Sequence, residues 1–299
     1  MKNRPFVILS VLVVLVSSIW LLEPIIFQAL FVSTEITDKL KGHEIVNIAH
    51  RGASGHAPEN TLPAIDLALE MGADMIAIDV HVTKDGEVIV LHDEQLGRTT
   101  NGSGNVHEFT LAELKELDAG SWFSSEFAGE KIPTLDEALK HIDGRAKCLI
   151  EMKSKGSVYY EGFAKLVVDV IEDNNAVDWC ILESYDEHYL DEAHEYDPRV
   201  QIKQILIGED NTNVFSYFIR TRNLMNTRQK HKYLSAVNPP FHALSERRVY
   251  ELHSRRLQVF TFLVNEREDL IKVLNMGVDG VITDFPDRLH KIKEEIEAL

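Results

Sequence analysis

Cysteine is nearly absent: Cys148 and Cys180 are the only two in 299 residues. That excludes a disulfide-knit scaffold and any zinc motif built on cysteine pairs, and leaves two inert buried thiols as the expectation. Positive charge is also scarce, with Lys+Arg 31 against Asp+Glu 48 and a net charge of −17. A surface this acidic repels polyphosphate backbones, so nucleic acid is not an expected partner. A phosphate ester can bind only where local cations or a metal reverse the field. No repeat of solenoid period is visible. What is present, 44% hydrophobic and 26% charged residues, excludes a disordered chain or a fibre and fits a globular fold.

Long apolar runs are missing everywhere except the N-terminus. Phe6 to Leu22 reads FVILSVLVVLVSSIWLL, 17 residues without a charge, and after Glu23-Pro24 the run resumes to Val32. This is at the short end of the roughly 17–25 residues that span a bilayer. A secretory signal is the alternative, but no A-x-A cleavage site follows. The expectation is an uncleaved single-pass anchor and linker over 1–44. Lys2 and Arg4 before the span, against Lys39 and Lys41 after it, weakly favour a body on the outer face.

Beyond the linker, short strand-like runs alternate with amphipathic segments. Strands are expected at 45–49, 75–80, 88–92, 147–152, 180–184, 200–206, 234–237, 259–264 and 280–283, with 88–92 as a hairpin return after Lys84-Asp85-Gly86. NTLPAIDLALEMG reads as a helix stopped at Gly72. Thr110 with Glu113 signals a capping box for a helix over LAELKEL, inside an insertion at 94–132 that follows the second strand. Eight strand–helix steps over 45–299 predict one (β/α)8 TIM barrel.

In such barrels ligands sit at the C-terminal ends of the strands. That rule collects His50-Arg51, Asp79, His81, His92-Asp93, Glu151, Lys153 and Asp284. A lone histidine or lysine at a strand end is more often a satisfied polar group than a catalyst, so the argument rests on convergence. Two histidines can work as an acid–base pair. Asp79 and Glu151 offer hard oxygens suited to Ca²⁺ or Mg²⁺. Arg51 supplies a planar fork for phosphate and Lys153 a point charge. Together these suit metal-assisted phosphodiester cleavage.

The segments AHRGASGHAPENTLPAIDLALEMGAD, VTKDGEVIVLHDEQLGRTTNGSGNV, LAELKELDAGSWF, GEKIPTLDEAL, IEMK and VNERED…GVDGVITDFPDRL resemble the glycerophosphodiester phosphodiesterase family over about 45–290. The resemblance implies a metal-assisted TIM barrel. In it His50 and His92 would be the acid–base pair, Arg51 and Lys153 phosphate ligands, Asp79 and Glu151 metal ligands, and Glu59 a support. It further implies attack by the glycerol 2-hydroxyl on phosphorus, a cyclic phosphate, and release of glycerol 3-phosphate and an alcohol.

One departure stands out. The family's Glu-x-Asp at the second strand reads Ala77-Ile78-Asp79 here, and strand alternation turns 77 and 79 to the same face. One anionic ligand is therefore missing, which implies a weaker working site or a catalytically impaired phosphodiester-binding protein; Glu59 or His81 are the neighbours that could lean in. Phe262-Leu263-Val264-Asn265, where the family often has Trp-Thr-Val-Asn, implies a changed pocket wall. Finally, Arg220, Arg222, Arg228, Lys230 and Lys232 form an acid-free cluster just after Phe215, Tyr217 and Phe218. A solvated face is the plainer reading. The other is a surface for membrane lipid, which would extend the substrates to lysophospholipids in a lysophospholipase D-type activity.

Overall fold

The computed structural model describes residues 35–36, 40–153, 160–205 and 235–299. The expected anchor and the basic cluster lie outside the described residues. No described helix is long and apolar enough to cross a membrane.

Nine described strands form one sheet: β1 (Val46–His50), β2 (Met75–Val82), β3 (Val88–Val90), β4 (Lys147–Met152), β5 (Cys180–Ser184), β6 (Gln201–Ile205), β7 (Ala236–Asn238), β8 (Gln258–Thr261) and β9 (Gly280–Thr283). Eight of them pair in parallel in the ring β1-β2-β4-β5-β6-β7-β8-β9 and back to β1. Only β3 runs antiparallel, hung on the edge of β2 by the expected hairpin. The described α-helices are α1 (Leu62–Glu70), α2 (Leu111–Lys115), α3 (Leu135–Ile142), α4 (Phe163–Asp173), α5 (Glu187–Tyr196), α6 (Glu246–His253), α7 (Arg267–Asn275) and α8 (Pro286–Glu297). This is a TIM-barrel-like α/β fold.

Near-continuous apolar strands follow from burial on both faces. The outward residues Ile76, Ile78, Cys148, Ile150, Cys180 and Leu182 meet the helix faces of α1, α3, α4 and α5. The two thiols lie here, free and buried. The inward residues divide into two levels. Ile48, Met75, Ala77, Leu149, Ile181, Ala236, Phe260 and Ile282 fill the barrel with apolar atoms. One step further along the strands the inward positions turn polar, and register places Asp79 beside Glu151, Glu151 beside Glu183, and Glu183 beside Lys203.

Local chemistry sets the elements. Thr110 Oγ1 accepts the Glu113 N–H while Glu113 accepts from the Thr110 N–H at 2.8 Å, so the capping box forms. The helix is shorter than expected. It ends at Lys115, and the Lys131 ammonium takes the carbonyls of Glu116 and Leu117. Around it Leu96, Val106, Leu114, Ala119 and Ile132 cluster with Ile89 and Leu91, fastening the insertion to the β3 edge. The chain enters at the opposite end, the foot. Leu40 is buried against the α7 and α8 side, His43 Nε2 meets the Val278 carbonyl at 3.1 Å, and Lys41 donates to the C-terminal Leu299.

Candidate active site

The turn after β1 runs through two successive left-handed residues. Arg51 adopts φ 56° and Gly52 φ 80°. A Cβ on Gly52 would stand 2.6 Å from the Ala64 backbone, so glycine alone lets the loop pass against α1. The turn drops Arg51 into the mouth. Its Nη1 donates to Glu59 Oε1 at 2.8 Å, and its Nε stands 3.2 Å from Asp79 Oδ2. Glu59 lies in the loop before α1, not in the helix. There Arg98 also reaches it with two hydrogen bonds, at 2.7 and 2.8 Å. Burial works against ionisation of Glu59, but the two guanidiniums outweigh it and hold the carboxyl below its ordinary range.

Each candidate histidine is backed by a carboxylate. His50 Nδ1 is 2.7 Å from Asp284 Oδ1, and Ser54 Oγ and Asn265 Nδ2 donate to Asp284 at 2.8 and 2.7 Å. His92 Nδ1 is 2.6 Å from Asp93 Oδ1. A carboxylate only accepts, so in each pair Nδ1 carries the proton and Nε2 is left as the working atom. Burial disfavours the charge on both aspartates, but their donors prevail. Asp284 lies below its ordinary range through His50, Ser54 and Asn265, and Asp93 falls to about 2 through Arg98 and His92. The hairpin explains how His92, far from His50 in sequence, joins it. β3 returns along β2, and the Leu91 N–H bonds to the Asp79 carbonyl at 2.9 Å. His81, buried, meets the His92 carbonyl through Nε2 at 3.0 Å, and burial drives its imidazole down to about 4, so it is neutral. Neither Glu59 nor His81 leans toward Ala77: one serves the arginines, the other the His92 loop.

His50 shares a pocket with the carboxylates Asp79 and Glu151, on both of which the charge of His92 also acts. Lys153 Nζ bridges Glu151 Oε1 at 2.6 Å and Asp79 Oδ1 at 3.0 Å. Asn60 donates to Asp79 at 2.8 Å. Burial opposes ionisation of Asp79, yet Lys153, Arg51, His92 and Asn60 hold it well below the carboxylate range. Burial instead lifts Glu151 to about 6 despite Lys153, whose own ammonium is stabilised by the two acids against burial. Ala77, Asp79 and Glu151 line one pocket with His50, Arg51 and Phe262, so position 77 does face the site and Phe262 does form part of its wall.

That pocket also holds residues the strand-end search passed over. Glu183, at the end of β5, is 5% exposed and accepts from Asn238 Nδ2 at 2.6 Å. Burial and the Glu151 charge raise its carboxyl to about 8. Lys203 lies beside it on β6 with its ammonium 3.7 Å from the centre of the Phe260 ring, and burial lowers it to about 8. The signal was the same parity used for Asp79: CILES puts 181 and 183 inward, and 183 is the strand-end position.

As they stand, no three acidic, imidazole or thiol groups among the described residues converge tightly enough to hold an ion. The donor chemistry nonetheless fits a hard cation. Asp79 and Glu151 are adjacent carboxylates already drawn around a positive charge, that of Lys153, and the buried Asn238 Oδ1 beside them has no hydrogen-bond partner.

Comparison with known proteins decides the family. Residues 50–288 match the glycerophosphoryl diester phosphodiesterase family. The chain belongs to that family. A glycerophosphodiester phosphodiesterase of Bacillus subtilis is 32% identical over 283 residues, covering 88% of this chain and 93% of its own. One from Caldanaerobacter subterraneus is 34% identical over 258 residues, 81% of this chain and 95% of its own. An Oleispira antarctica phosphodiesterase, solved with its product sn-glycerol-3-phosphate, superposes with TM-score 0.70 at 27% identity, covering 86% of this chain and 98% of that one. As a family member the chain is a phosphoric diester hydrolase, a glycerophosphodiester phosphodiesterase.

Proposed function

We propose that the chain hydrolyses glycerophosphodiesters to glycerol 3-phosphate and an alcohol, with His50 and His92 as the acid–base pair. The observation that carries this is the matched pair of His–Asp dyads around Asp79 and Glu151, which line a pocket with His50 and Arg51 and are bridged by Lys153. Arg51, its fork already fixed by Glu59 and Asp79, grips the phosphoryl oxygens, and Lys153 adds a point charge. One imidazole Nε2 takes the proton of the glycerol 2-hydroxyl as that oxygen attacks phosphorus. The bond from phosphorus to the alcohol oxygen breaks, and the other imidazole protonates the departing oxygen. Water then opens the cyclic phosphate with the two roles exchanged. A bound Ca²⁺ or Mg²⁺, held by Asp79 and Glu151, supplies neutralisation of the phosphoryl charge.

Water-soluble glycerophosphodiesters are favoured over lysophospholipids. The described linker residues meet the barrel at its foot, so the mouth faces away from the end at which the chain arrives. We infer a single-pass anchor at the N-terminus, with the body on the outer face. Fractionation tests the anchor: an apolar span holds the full chain in the membrane pellet through a high-salt wash, because salt screens headgroup attraction only. Release by salt contradicts it. For the activity, the full chain is incubated with glycerophosphocholine and with lysophosphatidylcholine. Choline release from the first and little from the second is expected. Release only from the second favours the lysophospholipase D-type reading, and binding without turnover favours the impaired reading.

A further inference from the structure

Two carboxylates are few for a cation that takes six to eight oxygens, and Ala77 offers none. The next strands supply what is lacking. Glu183 is the register partner of Glu151, which is itself the partner of Asp79, so three carboxylates lie at one level on three adjacent parallel strands. Neighbouring strands are about 4.8 Å apart, so Glu151 stands between Asp79 and Glu183, and an ion would draw the two outer side chains toward it. All three line the same pocket, and Ala77 lines it with them.

Asn238 is an independent sign. It is 1% exposed, lines that pocket, and gives its Nδ2 to Glu183. With Glu183 ionised, as a ligand to a cation must be, that bond fixes the amide orientation, since a carboxylate accepts and the amide oxygen cannot donate. Its Oδ1 is left buried without a partner. An orphaned buried carbonyl costs stability unless something meets it. A neutral hard oxygen beside carboxylates is what Ca²⁺ accepts. Among the described residues Asn238 is the one hydrogen-bond donor to Glu183, and the Lys203 ammonium lies over the Phe260 ring.

We propose that Glu183 and the Oδ1 of Asn238 complete, with Asp79 and Glu151, the oxygen set for a hard divalent cation, so that the third carboxylate comes from β5 instead of position 77. This rests on the metal-assisted reading of the site given above. Lys153 bridges two of these acids here, and its long stem allows the ammonium to turn toward a phosphate when a cation takes its place.

The test is a double-mutant cycle on the full chain, read by calorimetric titration with Ca²⁺ alone, with melting curves in chelator to confirm folding. Glu183→Gln should weaken Ca²⁺ binding at least about tenfold, because affinity follows ligand charge count. Ala77→Glu should recover most of that loss in the Glu183→Gln background, yet tighten binding less than about threefold in the natural chain. Natural affinity in Glu183→Gln, an equal Ala77→Glu effect in both backgrounds, or no Ca²⁺ binding by the natural chain would each overturn the proposal. If Glu183→Gln does not fold, Asn238→Leu removes the orphaned oxygen: weaker binding supports the proposal and unchanged binding contradicts it. Hydrolysis is not needed for this readout, so an inactive chain with the expected coupling would reject the proposed reaction and leave the cation site standing.

Discussion

Strands β1, β2 and β4 deliver polar residues to the mouth in clusters, whereas β5, β6 and β7 deliver them singly. On the first side His50-Arg51, Asp79 and Glu151-x-Lys153 arrive with their loops, and His92-Asp93 comes back on the hairpin; nearly every group is tied to another by a hydrogen bond or ion pair. On the second side Glu183 and Asn238 stand at or near the ends of apolar strands, Lys203 stands within the mixed strand QIKQI, and a buried amide oxygen is left over. In the proposed reaction the first half moves protons and holds phosphate. The second adds two buried titratable groups and an amide oxygen to the same level, without a histidine.

That contrast can be broken most directly at the histidines. Replacing His50 or His92 with Ala should lower turnover of glycerophosphocholine by about 10²–10⁴-fold, the range for losing a general acid or base, with the melting temperature nearly unchanged. Near-natural turnover in either variant would remove that residue from the proton-transfer pair. Lys153→Ala should lower kcat/KM by less, about 10–100-fold, as expected for losing one charged hydrogen bond to phosphate. Lys203→Met sharpens the comparison, since its ammonium rests on Phe260. Its steady-state rate should stay within about tenfold of the natural chain, and a loss as large as the histidines' would mean that the second half takes part in the chemistry.

The smallest effect concerns acid stability. The folded Asp93 carboxyl, at about 2, lies below its ordinary 3.8. A depressed acid stabilises the fold fully above its ordinary value and loses that contribution as pH falls through its folded value. Melting curves of Asp93→Asn between about pH 4 and pH 2 should therefore decline less steeply with acid than those of the natural chain. Parallel declines would show that Arg98 and His92 do not stabilise the Asp93 charge.

The difference between the halves also explains what could be read from the chain alone. Barrel strands buried on both faces are nearly continuous apolar runs, so MIAIDV and KCLIEM were visible, and with them Asp79 and Glu151 at their ends. Arg51 and His92 were legible because glycine and hairpin signals mark the turns that carry them. Glu183 and Asn238 follow no turn motif. Their only trace is strand parity, and it gains meaning once register aligns β5 with β4 and β7 with the same pocket. The carboxylates behind the histidines were visible as residues but not as partners. Asp284 meets His50 only because β9 closes the ring onto β1. Lys153 was read as a phosphate ligand; its bridge between Asp79 and Glu151 depends on the Lys153 N–H bonding the Val80 carbonyl, a contact between strands that no local pattern reveals.

In the proposed reaction two carboxylate-backed imidazoles cleave the phosphorus–alcohol bond through the glycerol hydroxyl. Phosphorus NMR of the full chain acting on glycerophosphocholine in ¹⁸O-labelled water tests it most directly. A transient cyclic glycerol phosphate is expected, then glycerol 3-phosphate carrying one solvent oxygen, with choline unlabelled. Formation of phosphocholine and glycerol, or of labelled choline, would contradict it.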